Sequence, residues 1–85
     1  MPDYPGVTLY GKPDCHLCDE AEDRLASLSR RVGLSYRKVD IQSSPELFAR
    51  FRYRIPVIDV DGGATLDWPV TEEQVWSAVR AAARP

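Results

Sequence analysis

Between two short β-prone stretches of this 85-residue chain lies one long run with the period of a helix, and that arrangement limits the fold more than any other feature. Leu17, Ala21, Leu25, Leu28 and Val32 recur at spacings of four, four, three and four, which places them on one helical face. Asp19, Glu20, Glu22 and Asp23 crowd the first half of the run and Arg30 and Arg31 close it, as the helix dipole favours. Asp14 is the expected N-cap of a helix opening at Cys15, and Gly33 the expected stop. Val7–Tyr10 before the run and Leu34–Ile41 after it read as strands. A strand, a crossing helix and a second strand close as a parallel pair through a right-handed connection.

The remaining residues extend this unit. Ser44-Pro45-Glu46 is a helix start, with a hydroxyl cap and proline at the first position, and Leu47, Phe48 and Phe51 supply that helix's apolar side. Pro56 opens an apolar strand, Val57–Val60; Asp61-Gly62-Gly63 is a hairpin turn, and Ala64–Trp68 is the return strand. Thr71 and Gln74 form a capping box for a last helix carrying Val75, Trp76 and Val79. Trp68 and Trp76 are expected as packing residues. The order is β-α-β-α-β-β-α, an α/β fold with a mixed four-stranded sheet and helices on both faces, expected as one domain over residues 1–85.

Composition removes several functions. A net charge of −2 argues against a general nucleic-acid surface. No run approaches the roughly eighteen apolar residues of a membrane span. The residues from Met1 to Gly6 lack a basic segment followed by an apolar stretch, so no secretory leader is expected, and the expected location is cytoplasmic.

Cys15 and Cys18 are the only cysteines, and they form a single C-x-x-C. A bridge across two intervening residues closes too small a loop to constrain the unfolded chain much, so a purely structural disulfide is a poor reading. A redox dithiol or part of a metal site remains. A zinc site normally takes four ligands, and Cys15, His16 and Cys18 supply at most three on one turn, with Asp14 or Asp19 as further candidates. At a helix start the chemistry is more definite. Cysteines three apart lie on the same side of a turn, and the first sits at the positive end of the dipole, where a thiolate is favoured. Cys15 is then the attacking thiol and Cys18 the resolving one. Lys12, and His16 when protonated, add positive charge beside the thiolate.

Lys12-Pro13-Asp14-Cys15-His16-Leu17-Cys18, the Ile55-Pro56-Val57 run and the element order together resemble a small prokaryotic glutaredoxin-like protein of the thioredoxin superfamily. The resemblance spans about Val7 to Ala83. It implies a thioredoxin/glutaredoxin fold and a dithiol–disulfide oxidoreductase that passes two electrons between Cys15/Cys18 and protein or glutathione mixed disulfides. It implies a cis Pro56 packed opposite the dithiol, and an Ile55 backbone that pairs with an extended substrate. Lys12, Arg54, Ile55 and Pro56 are the substrate-binding candidates on that basis. Arg50 and Arg52 precede them and have the chemistry to meet a carboxylate or an acidic partner. No cofactor or metal is needed; the expected state is a monomer without nucleic-acid or membrane partners, and the electron donor is glutathione or a thioredoxin-reductase-type system. Two rival readings are an iron–sulfur or metal-binding module of the same fold and a non-catalytic binding module. Two stretches depart from the usual glutaredoxin pattern: His16-Leu17 stands where Pro-Tyr is usual, and Trp68-Pro69-Val70-Thr71-Glu72-Glu73 stands where glycines and acids begin the last helix.

Overall fold

The computed structural model describes residues 4–83. Its elements run β1 (Val7–Gly11), α1 (His16–Val32), β2 (Tyr36–Asp40), a short 3-10 turn (Ile41–Ser43), α2 (Pro45–Phe51), β3 (Val57–Val60), β4 (Thr65–Asp67) and α3 (Glu72–Ala82). The sheet order is β2-β1-β3-β4. β1 and β2 are parallel, with Val7 opposite Tyr36 and Gly11 opposite Asp40. β3 runs antiparallel to both neighbours, with Tyr10 opposite Val57 and Ile58 opposite Leu66. This is the β-α-β-α-β-β-α mixed sheet that the periodicities predict.

Side-chain alternation along the two central strands divides the core. Val7 and Leu9 of β1 and Ile58 and Val60 of β3 join Ala21, Leu25 and Leu28 of α1 and Val75 and Val79 of α3 on one face. Tyr10 and Val57 point to the other face, where Ile41, Leu47, Ile55 and Phe51 cover them. α1 and α3 therefore share one side of the sheet and α2 holds the other. Trp68 and Trp76 pack at the edge of the larger cluster, half-buried.

The ends of the elements follow local chemistry. The Ser44 hydroxyl accepts from the Leu47 N–H at the start of α2. The Thr71–Gln74 box is closed in both directions, at 2.8 and 3.0 Å. Gly33 adopts φ 81°, a left-handed conformation open to glycine without a side-chain clash, and its N–H donates to the Ser29 carbonyl. The second strand is shorter than the β-prone run: the Asp40 carboxylate accepts from the Gln42 N–H at 2.8 Å and turns the chain into the 3-10 segment, so Ile41 leaves the ladder. The return strand stops at Asp67 because Trp68–Pro69 follows, and proline has no N–H for a ladder.

Two expectations about α1 are corrected. Asp14 is not its N-cap; it takes φ 57° in the loop, and Cys15 occupies the cap with extended backbone. The inward face is Cys18, Ala21, Leu25 and Leu28, whereas Leu17, one residue and about 100° away, is 46% exposed. A helix start shifted by one residue moves the boundary of its apolar stripe, and Cys18 fills the position given to Leu17.

Candidate functional site

The tight end of β1 builds the site. Gly11 is the last residue of the strand and is buried; a Cβ placed on it would stand 3.0 Å from the Cys18 Sγ and 3.2 Å from its Cβ. The missing side chain lets the first turn of α1 close onto the strand with Cys18 beneath it, and Cys18 is 6% exposed. Cys15 lies above, half-buried. The two are joined as a disulfide with Cα atoms 5.2 Å apart.

As the N-cap residue, Cys15 does with sulfur what a serine or aspartate does with oxygen. Its Sγ accepts the Cys18 backbone N–H at 3.2 Å. The Cys15 carbonyl accepts from the Asp19 N–H, which closes the first turn. A donor aimed at the sulfur and the positive end of a 17-residue helix both stabilise a thiolate there once the bridge is reduced. Cys18 has the more enclosed environment, buried and packed on Gly11.

His16 and Leu17, the residues between the cysteines, are exposed, and the His16 ring faces Glu20 at 3.1 Å. A cleft of about 360 Å³ opens beside Cys18, lined among others by Lys12, Glu22, Lys38 and Asp40. Glu22 is held from β2, by the Lys38 ammonium at 2.9 Å and the Tyr36 hydroxyl at 3.5 Å. Its carboxylate raises the Lys38 ammonium above the ordinary lysine range, chiefly through that hydrogen bond. Burial, then Glu22, pushes the Tyr36 hydroxyl up as well.

Ile55 and Pro56 enter from the other neighbour of β1. The Ile55–Pro56 bond is cis, and so is Trp68–Pro69. The register sets Val57 opposite Tyr10, so Pro56 falls level with Gly11, at the end of the sheet that carries the dithiol. The Ile55 N–H donates inward to the Phe51 carbonyl at 3.1 Å, which leaves the Ile55 carbonyl as the group able to meet an extended chain. Arg54 is tied across to β4, with both Nε and Nη2 donating to Asp67, at 3.2 and 3.0 Å. Lys12 is exposed in the loop before Cys15. Of the residues singled out in the sequence, Cys15, Cys18, Lys12, Ile55 and Pro56 thus share one end of the sheet, with Arg54 adjoining them. Among the described residues no group of three or more His, Cys, Asp or Glu side chains is placed to hold a metal ion.

Sequence reasoning missed Gly11 and Glu22. Glycine at the end of a β-prone run, just before a dithiol loop, was one available signal; an acid four residues after Cys18, on the same helical stripe, was the other. The stretch that departs from the glutaredoxin pattern is used for packing: Arg24 of α1 lies over the Trp68 ring and donates to the Val70 carbonyl, Arg31 pairs with Glu72, and the capping box occupies the α3 end.

Residues 6–80 match the family described as Glutaredoxin-like domain (DUF836). The chain belongs to that family. Among curated proteins this glutaredoxin-like chain is similar to the uncharacterized protein Rv0508 of Mycobacterium tuberculosis, at 30% identity over 76 residues, 84% of this chain and 78% of the relative. Its fold is similar to the X-ray structure of protein XcR50 from X. campestris, with a TM-score of 0.71 and 34% identity over 93% of this chain and 99% of that one. It is also similar in fold alone to thioredoxin 1 from Thermosipho africanus, with a TM-score of 0.64 and 10% identity over 89% and 91% of the two chains. Glutaredoxin-like family, thioredoxin-like fold and C-x-x-C pair together fit a redox role. No helix among the described residues is long and apolar enough to cross a membrane.

Proposed function

We propose that this glutaredoxin-like chain is a dithiol–disulfide oxidoreductase that reduces protein or glutathione mixed disulfides. The observation that carries the reading is the asymmetry of the pair: Cys15 is half-buried and its sulfur accepts a backbone N–H at a helix start, while Cys18 is buried and packed on Gly11. Reduced Cys15, as thiolate, attacks one sulfur of a substrate disulfide; that S–S bond breaks and the first substrate thiolate leaves. Cys18 then gives its proton to water and attacks the Cys15 sulfur, so the mixed disulfide breaks and the second substrate thiolate leaves. The substrate gains two electrons and the protein ends with its own disulfide, the form described above. A thiol donor, glutathione or a thioredoxin-reductase-type system, restores the dithiol. Such a cycle suits a reducing, cytoplasmic compartment.

Ile55, Pro56 and Lys12 support substrate placement in this reading, the first through its free carbonyl and the last through its charge. The test is trapping. Cys18→Ser is expected to accumulate mixed disulfides with partners, and Cys15→Ser to accumulate none and lose activity. A Cys15 that resists alkylation at neutral pH in the reduced protein, with no trapped partner, would end the proposal. Side-by-side reduction of the oxidised protein by glutathione and by a thioredoxin-reductase system then assigns the donor.

A further inference from the structure

The end of α2 and the turn that leads to β3 carry two arginines that no carboxylate among the described residues neutralises. From Leu47 to Ile58 the chain has three arginines and no acid, although the whole protein is net negative. Arg54 is neutralised by Asp67. Arg50 and Arg52 have no carboxylate within salt-bridge distance among the described residues. Each instead lies over aromatic rings: Arg50 is 4.8 Å from the Phe51 centroid, and Arg52 is 4.6 Å from Tyr53 and 5.7 Å from Phe48. Phe51 is buried and stacked on Tyr10, whereas Tyr53 is 87% exposed and Phe48 38%. The backbone below is pinned, because the Arg52 N–H donates to the Phe48 carbonyl and the Arg54 N–H to that of Phe51.

The place of this patch gives it meaning. Arg52 is four residues from Pro56, hence within about 14 Å of it along the chain, and Pro56 is level with Gly11 at the dithiol end of the sheet. Exposed tyrosine with unpaired, stacked arginines is the composition of a protein-binding anchor, and the guanidinium fork matches a carboxylate. We propose that Phe48, Arg50, Arg52 and Tyr53 form a docking surface for an acidic polypeptide segment flanking the disulfide that Cys15 attacks. This rests on the oxidoreductase reading and names the kind of protein substrate. A nucleic-acid strand fits less well: Asp14, Asp19 and Glu20 lie within five residues of Cys15, and a continuous phosphate backbone running past them to the arginines would be repelled, whereas a peptide can confine its acids to the part that meets Arg50 and Arg52.

The experiment measures the single-turnover reaction of reduced Cys18→Ser protein with peptide disulfides that differ only in their flanking residues, aspartate, serine or lysine. The aspartate peptide is expected to react faster than the lysine peptide by on the order of tenfold at low ionic strength. The difference should vanish in about 1 M salt, where charges are screened within about 3 Å. Arg50→Gln/Arg52→Gln should bring the aspartate peptide down to the serine rate and leave the serine peptide unchanged. One rate for all three peptides, or an equal slowing of all three in the double variant, would overturn the docking surface and leave the dithiol chemistry standing. A cysteine-free acidic peptide, titrated against the same protein, should shift the backbone amides of Arg50, Arg52 and Tyr53. If that shift occurs while no disulfide reacts, the oxidoreductase reading fails and the docking surface survives. Absence of the shift, or tighter binding of a single-stranded oligonucleotide at those amides, overturns the surface.

Discussion

Gly11 and Cys18 are coupled by contact. Any side chain at position 11 must push into the Cys18 sulfur, and the neighbour is the rigid first turn of a helix. Gly11→Ala is therefore expected to destabilise the protein by about 1–3 kcal/mol, the usual cost of overpacking, and to slow closure of the Cys15–Cys18 bridge. Urea unfolding reads the first effect and stopped-flow oxidation of the dithiol the second. An alanine variant of unchanged stability and closure rate would mean that Cys18 is not seated as described. At Cys15 the charged form is the reactive one. A sulfur that already accepts an N–H in the cap position is set to hold a thiolate, so thiolate absorbance and iodoacetamide reactivity of the reduced protein should titrate together at position 15, with Cys18 silent.

At the scale of elements, α3 depends on its start. Its capping box satisfies one donor at each end of the first turn, and the helix is only 11 residues long. Thr71→Ala removes the hydroxyl acceptor and is expected to cost about 1 kcal/mol, seen as a lower denaturation midpoint with an unchanged slope. Because the start of α3 meets the far end of α1, through Arg31 and Glu72, and not its dithiol turn, the reactivity of Cys15 should be unchanged. The β1–α1 connection is the element that forms the site. The strand ends at Gly11, the loop passes through Asp14 at positive φ, and the helix begins on the sulfur of its own cap residue. β3 brings Pro56 level with Gly11 only because it runs antiparallel to β1 with Tyr10 opposite Val57. A slip of one residue there would turn Val57 to the α1 side and Ile58 to the α2 side.

For the whole molecule, stability rests on the α1–sheet–α3 layer. Leu25 is fully buried at its centre, so Leu25→Ala should cost about 2–5 kcal/mol and give a large fall in melting temperature. The Glu22 cluster adds a small pH-dependent part to this stability at the alkaline end. Lys38 and Tyr36 both bind their protons more tightly in the folded chain than in the unfolded one. Their contribution is whole below the ordinary lysine and tyrosine ranges and is lost as pH rises through the folded values, that is, above about pH 10. Urea midpoints should therefore be insensitive to this cluster between neutral pH and about 9 and fall above 10. Lys38→Met should flatten that fall and leave the midpoint near neutral pH almost unchanged, because Lys38 is exposed and its pair with Glu22 is screened by solvent.

The element order, the caps at Ser44 and Thr71, the stop at Gly33 and the dithiol at a helix start are all local, and the sequence alone determined them. Each depends on residues within one turn or one strand, where period and hydrogen-bonding capacity leave few alternatives. The tertiary structure decided everything that depends on a neighbour distant in the chain. It set which face Tyr10 and Val57 cover, that Leu17 is left exposed, that Arg54 is neutralised while Arg50 and Arg52 are not, and that Gly11 and Glu22 belong to the site. Those facts follow from strand register and from the angular phase of α1. A single residue's shift moves a side chain by half a turn on a strand and by about 100° on a helix, and only packing against the rest of the molecule selects the shift.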